Sequence, residues 1–439
     1  MFSTLRNAFK VKDIRKRLIY TFIALLVVRL GTLLPTPGIS STAMDQWFST
    51  DAWSFVNSIT GGSFRRMSIF ALSITPYISA SIIMQLLTIA IPKLEEMHKE
   101  GEEGRKKMNE ITRYVTVGLA VIEAVAMAIG FGTQGSLNSF TFTNVVLVVA
   151  AFTAGSTFLM WVGERITENG VGNGISIILT INIVSRLPGD MVTLFQTFVI
   201  SKPVVNAIVA VLVITGVIVG SIVYVVVLQG AVRKIPVTYA KKVVGRKAVG
   251  GQTSNIPLKV NTAGVIPVIF SNSLMTFPII IASFFSVEPA RAYFWPKVLM
   301  VLNQDDWFNV KSFGDFKYSI GFIIYVFLTV FFAYFYTSIT FNPIEVSNNI
   351  KKQGGFIPGI RPGKPTTEYL TKVLNYIIFI GAIGLTIAAT IPIIFSGIFG
   401  ASFSFGGTSI IIIVGVIVET IKQIESQLLV RHYKGFLND

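Results

Sequence analysis

The sequence predicts an all-α membrane protein of ten spanning helices, and three observations carry that prediction. Hydrophobic residues fill 52% of the 439 positions and charged residues only 13%, with a mean hydropathy of +0.67. Soluble domains keep about 25% charged residues, so this balance leaves too little polar surface to face water. The apolar residues are gathered into runs long enough to cross a bilayer. The Lys and Arg residues alternate with those runs, as in a chain that is oriented in a membrane.

A helix rising about 1.5 Å per residue needs about 20 residues to cross a hydrocarbon core about 30 Å thick. Ten runs qualify as candidates: 18–34, 74–91, 114–132, 144–162, 174–187, 204–228, 263–285, 318–341, 373–395 and 408–428. The first follows a basic stretch from Arg6 to Arg17, as a signal peptide would. Arg29 interrupts it, however, and no small-residue cleavage site follows, so it reads as a retained span. The fifth is short, ending before Pro188-Gly189-Asp190, and its Gly174, Ser176, Thr180, Asn182 and Ser185 suit burial against protein or water. The runs lack the in-out alternation of a membrane barrel.

Lys and Arg crowd the amino-terminal tail (Arg6 to Arg17) and the connections 93–113, 233–259 and 351–372, while the alternate loops hold few. The positive-inside rule places the crowded side in the cytoplasm, and an even number of spans puts both termini there. The expected site is thus the cytoplasmic membrane. The spans divide into halves of five, 1–200 and 201–439. An odd number per half makes the second half enter the membrane from the opposite side, so any repeat is inverted.

Several chemistries are disfavoured. There is no Cys, and His98 and His432 both lie outside the apolar runs, which leaves no thiol catalysis, no Cys/His zinc site and no Ser/His/Asp triad. No P-loop occurs, and Gly170-Val-Gly-Asn-Gly174 lacks the spacing of a dinucleotide fingerprint. The reading is a chain without enzymatic activity, cofactor or direct nucleotide binding, in which a partner or the membrane potential supplies energy. Charge at membrane depth is sparse: Arg29, Glu123, and Glu419 with Lys422. Arg29 and Glu123 read as structural groups facing the bundle rather than as a proton path.

Three connections exceed what joining helices requires: 98–114, the loop 229–262, and the loop 342–372. In the second, the alternation around Pro236-Val-Thr-Tyr239 and the Val-Gly-Arg-Lys turn near Gly245 read as a projecting β-hairpin. The third contains QGGFIPGIRPGKPT, residues 353–366, whose prolines and glycines fix a stiff basic surface.

These blocks carry a family resemblance. "ITPYISASIIMQLL" (74–87), "EGEEGRKKMNEITRY" (100–114), "FLMWVGERITENGVGNGISI" (158–177), "IPLKVNTAGVIPVIF" (256–270), "FNPIEVSNNIKKQGGFIPGIRPG" (341–363) and "FGGTS" (405–409) run in order along nearly the whole chain. The sequence resembles the SecY family, the central subunits of the bacterial Sec protein translocase.

The resemblance implies two inverted five-helix halves around an hourglass pore, which opens across the membrane and sideways through a lateral gate of helices 74–91 and 263–285. It implies a pore ring of Ile74, Ile78, Ile175, Leu179, Ile269 and Ile412. Ile74 with Ile78, and Ile175 with Leu179, are i,i+4 pairs on one helix face. An apolar ring excludes ions by dewetting and yields around a chain of any sequence. Leu179 departs from the family's usual Ile but keeps its bulk. Asn173 is expected among polar groups near the pore.

By the same resemblance residues 55–70 form a plug, a short helix folded into the outer funnel, including Asn57, Ser58, Thr60, Gly61, Gly62, Ser63 and Arg65. Gly61-Gly62 supply the bend, and small polar residues are expected to pack weakly so that the segment can leave. Pro76 and Pro267 are expected to start or kink the gate helices. The basic loops, with Arg246, Lys247, Lys351, Lys352, Arg361 and Lys364, are expected to dock the SecA ATPase motor or the ribosome. Asn255 replaces a residue that is commonly His in the family. Further expected partners are SecE-type and SecG-type subunits, the secretory polypeptide with its signal sequence, and membrane lipid. The rival readings are a secondary transporter of small solutes, which predicts a compact polar site at mid-membrane, and a purely structural membrane scaffold.

Overall fold

The computed structural model describes residues 6, 8–39, 60–133, 135, 137–200, 203–239, 242–244, 247–249, 253–284, 294–302, 307, 320–399 and 407–435. Helices dominate, and one stands at each of the ten candidate spans: α1 (Lys12–Gly31), α2 (Thr75–Ala90), α4 (Glu102–Thr133), α5 (Phe142–Asn169), α6 (Gly174–Phe195), α7 (Val204–Gly230), α8 (Ile266–Phe284), α10 (Ile320–Thr340), α12 (Lys364–Phe399) and α13 (Gly407–Gly435). Between them lie the shorter α3 (Pro92–Lys99), α9 (Phe294–Leu302) and α11 (Pro343–Lys352). Among the described residues six helices are long and apolar enough to cross a membrane by length and composition, those at α4, α5, α6, α7, α10 and α12, and α2 is a shorter apolar helix.

The chain forms two compact units: Met1–Thr193 with Ile280–Glu288 and Glu419–Asp439, and Leu194–Ile279 with Pro289–Val418. The first division falls at 193/194, where the sequence reading places it at 200/201, and the chain from Glu419 onward groups with the first unit.

In the first unit the core joins Ala124, Met127, Ala128 and Phe131 of α4 to Val148 and Phe152 of α5 and to Phe64, Met67, Ala71 and Leu72 of the segment before α2. A second cluster packs Ile14 of α1 and Ala8 against Val171 and Ile424. The outer face of α1 stays apolar and exposed, with Phe22, Ile23, Leu26 and Leu30. Arg113 of α4 donates from Nε to Glu164 Oε1 of α5 at 2.8 Å.

Helix α6 is longer than the sequence suggests. It runs through Pro188 to Phe195 and continues as one π-helical turn, Gln196–Ile200. Pro188 cannot donate to the carbonyl one turn back. The Arg186 to Asp190 ion pair, 3.9 Å apart at i,i+4, spans the same turn, and the helix continues past a Pro-Gly pair that reads as a stop.

In the second unit, β1 (Val232–Tyr239), β4 (Thr253–Lys259) and β5 (Gly355–Phe356) form an antiparallel sheet in the order β4-β1-β5. Strands β2 (Lys242–Val244) and β3 (Lys247–Val249) form a separate antiparallel pair, with Val244 opposite Lys247. Ile235, Val237 and Leu258 turn one face of the larger sheet toward Ile350 of α11 and Leu370 and Ile377 of α12. Pro236 has no N–H to give, and it sits where β1 pairs with β4 alone, beyond the two positions that β5 covers. Helix α11 begins at Asn342, whose side chain accepts from the N–H groups of Ile344 at 3.1 Å and Glu345 at 3.4 Å, and Pro343 follows at the first helical position.

Candidate functional site

The described part of the expected plug, residues 60 onward, is a chain of turns rather than a helix; Asn57 and Ser58 lie outside the described residues. The turns close through short-range bonds, Ser63 N to Thr60 O, Met67 N to Phe64 O and Ala71 N to Ser68 O. Gly61 and Gly62 have φ of +65° and +83°, a left-handed bend that glycine adopts without strain.

The expected weak packing is not what the structure shows. Thr60, Ser63, Phe64 and Met67 are each no more than 3% exposed. The hydroxyls of Thr60 and Ser63 are satisfied locally, since Phe64 N donates to Thr60 Oγ1 at 3.4 Å and Ser63 Oγ donates to the Thr60 carbonyl at 2.6 Å and lies 2.9 Å from that of Phe70; the buried Ser68 hydroxyl has no hydrogen-bond partner among the described residues. The Thr60 and Ser63 hydroxyls therefore cost little to bury, and the interleaved Phe64, Met67 and Phe70 supply apolar contact. The segment also pairs with the chain leaving α1, through Thr36 N to Met67 O at 2.9 Å and Ile69 N to Leu34 O at 3.0 Å. Arg65 stays exposed. Arg29 Nη1 of α1 lies 3.5 Å from the carbonyl of Gly61, which gives this span charge a partner in the turn.

Pro76 and Pro267 both lie at the first turn of their helices, α2 and α8, and so start them; Pro188, Pro278 and Pro392 lie inside helices. Ile74 caps α2 and is fully buried, at 0% exposure. Ile78 is partly exposed, and one turn on so is Ile82. Ile78 and Ile82, an i,i+4 pair on α2, thus both keep accessible surface. Sequence spacing alone could not separate this pair from Ile74 with Ile78.

On α6, Ile175 is partly exposed and Leu179 is buried. Asn173 is exposed at the start of this helix, and its Oδ1 accepts from Ser176 N at 3.2 Å. Its visible role is a helix cap. The loop before it is held closely: Val171 N donates to Thr21 Oγ1 at 3.1 Å, and Arg17 Nη1 donates to the Gly170 carbonyl at 3.3 Å.

In the second unit Ile269 is partly exposed and Ile412 is buried. Helix α8 is fastened to α10 by a buried hydrogen bond from Thr329 Oγ1 to Ser271 Oγ at 3.2 Å. Phe270 packs on Phe332 and Tyr336 with ring centroids 4.9 and 5.6 Å apart.

Sequence reasoning treats the two basic loops of this unit separately, and the structure joins them. Gly355 and Phe356 pair with Tyr239 and Thr238 of β1. Beyond them Ile357 is buried, while Lys351, Lys352, Arg361 and Lys364 are exposed. The backbone under these charges is pinned, because Thr366 Oγ1 donates to the Arg361 carbonyl at 2.8 Å and Ser347 Oγ to the Gly363 carbonyl at 3.1 Å. Asn255 is exposed on β4 opposite Pro236. Lys247 lies on β3, and Arg246 is outside the described residues.

The SecY family pattern matches residues 68–421. A protein translocase subunit SecY of Halalkalibacterium halodurans is 42% identical over 445 residues, with both chains covered in full. A solved structure of a protein-conducting channel shares the fold at a TM-score of 0.62 and 19% identity, covering 94% of this chain and 92% of its own. A second, in which the plug domain of SecY stabilises the closed state and maintains a membrane seal, gives a TM-score of 0.61 at 19% identity with the same coverage. With a family match over most of the chain and a full-length relative at that identity, the chain belongs to the SecY family.

Proposed function

We propose that this chain is the channel subunit of a protein translocase, which passes unfolded secretory polypeptides across the cytoplasmic membrane and releases membrane-protein helices sideways into lipid. The observation that carries the reading is the full-length match to a protein translocase subunit SecY. The seated turn segment at 60–73 supports it, since a channel wide enough for a polypeptide needs a closure at rest.

Ile78, Ile175, Leu179, Ile269 and Ile412 contribute apolar bulk to the pore ring. Ile74, buried as Leu179 and Ile412 are, belongs to the same ring. The residues at 55–70 act as the plug, helices α2 and α8 act as the lateral gate, and both termini face the cytoplasm. The sheet of β1, β4 and β5 with Lys351, Lys352, Arg361 and Lys364 presents a stiff basic surface to the SecA motor or the ribosome. SecE-type and SecG-type subunits complete the assembly. Membership of the SecY family argues against both a small-solute transporter and a passive scaffold.

Reconstitution tests the proposal. Proteoliposomes holding this chain with its small partner subunits and the motor should protect a secretory polypeptide from added protease only when ATP is present. Equal protection in liposomes lacking this chain would refute it.

A further inference from the structure

Both ends of the 60–73 turn segment meet one residue of α6. At the amino end, a Cβ placed on Gly61 would lie 2.9 Å from Asn182 Cα and 3.0 Å from its carbonyl oxygen, so the turn rests on the helix backbone with no room for a side chain. At the carboxyl end, Asn182 Nδ2 donates to Ser73 Oγ at 3.2 Å. Asn182 and Ser73 are each 1% exposed. Ser73 holds φ at +51°, a conformation that costs a non-glycine residue free energy and persists only where its surroundings impose it. Asn182 Oδ1 is buried and has no hydrogen-bond partner among the described residues.

We infer that Asn182 is a positioning residue for the closed channel, setting the seat of the turn segment through its amide on Ser73 and its backbone against Gly61. The inference rests on the reading of this segment as a plug. The hold is incomplete by construction: the donor side of the amide is used and the acceptor side is not, so the seated state keeps an unmet polar group that departure of the segment can satisfy. A segment this well packed would otherwise be slow to leave.

The asymmetry of buried hydrogen bonds supplies the test. Removing one partner leaves the other buried and unmet, whereas replacing both by apolar groups is close to neutral. The measurement is resting conductance in planar bilayers, made on the full chain assembled with its small partner subunits. Ser73→Ala should raise it about five-fold or more, the factor that corresponds to ~1 kcal/mol. Ser73→Gly also lacks the hydroxyl but relieves the backbone conformation, so it should leak less than Ser73→Ala, which keeps that conformational cost. Ser73→Ala with Asn182→Leu should return conductance to within about two-fold of the unaltered channel.

Unchanged conductance in both single variants, or a double variant that leaks more than Ser73→Ala alone, would overturn the inference. Deletion of residues 60–67 separates it from the reading beneath it. If that deletion leaves conductance unchanged, the plug reading fails. If the deletion leaks and the Ser73 variants do not, the role of Asn182 fails alone.

Discussion

Gly155 of α5 lies directly beneath the backbone of Ile69, with a Cβ at position 155 falling 2.1 Å from the Ile69 carbonyl oxygen. The turn segment therefore sits on bare helix backbone at this point. Gly155→Ala must push the segment off α5 or bend the helix, an overpacking cost of about 1–3 kcal/mol. A lower midpoint of thermal unfolding and a raised resting conductance should appear together. An unchanged midpoint would show that the segment is not held at this contact.

The Arg113 to Glu164 pair links α4 to α5 at 2.8 Å, with the glutamate side chain 16% and the arginine 42% exposed. Solvent screening on the arginine side reduces what the pair contributes, so its coupling should be about 1 kcal/mol. A double-mutant cycle with Arg113→Ala and Glu164→Ala, followed by denaturation in detergent, measures that coupling. Strict additivity would show that the pair contributes no net stability.

Arg361 and Gly363 separate charge from shape in the proposed docking surface. The Arg361 side chain is exposed and its carbonyl is held by Thr366, so Arg361→Glu should leave thermal stability within about 0.5 kcal/mol of the original while motor-driven export is lost. Gly363 has φ +100°, and its carbonyl accepts from Ser347 Oγ and Thr367 N, so Gly363→Ala should distort the loop and lower both export and stability. Unchanged export by Arg361→Glu, measured in proteoliposomes, would remove the docking role.

The spans were legible because an apolar run of about 20 residues is a local signal that needs no knowledge of neighbours. The end of α6 was not, since Pro188-Gly189 reads as a stop on local grounds, yet the helix runs on to Phe195. The third strand of the sheet was hidden for a different reason. Gly355-Phe356 has no strand pattern of its own and is extended because β1, more than a hundred residues earlier, offers it an edge. The burial of Thr60 and Ser63 reversed what their polarity suggested, because their hydroxyls bond within the turns. Asn182 was visible as an amide in an apolar run, but its partner Ser73 lies 109 positions away and only the fold brings them together.

The most direct test places a photoreactive amino acid at position 78 or position 269 and stalls a secretory polypeptide partway through export. Crosslinks from both positions to the stalled chain, absent when the polypeptide lacks its signal sequence, are the result expected of an apolar ring around a translocating chain. A polypeptide that is exported normally yet crosslinks from neither position would contradict the account.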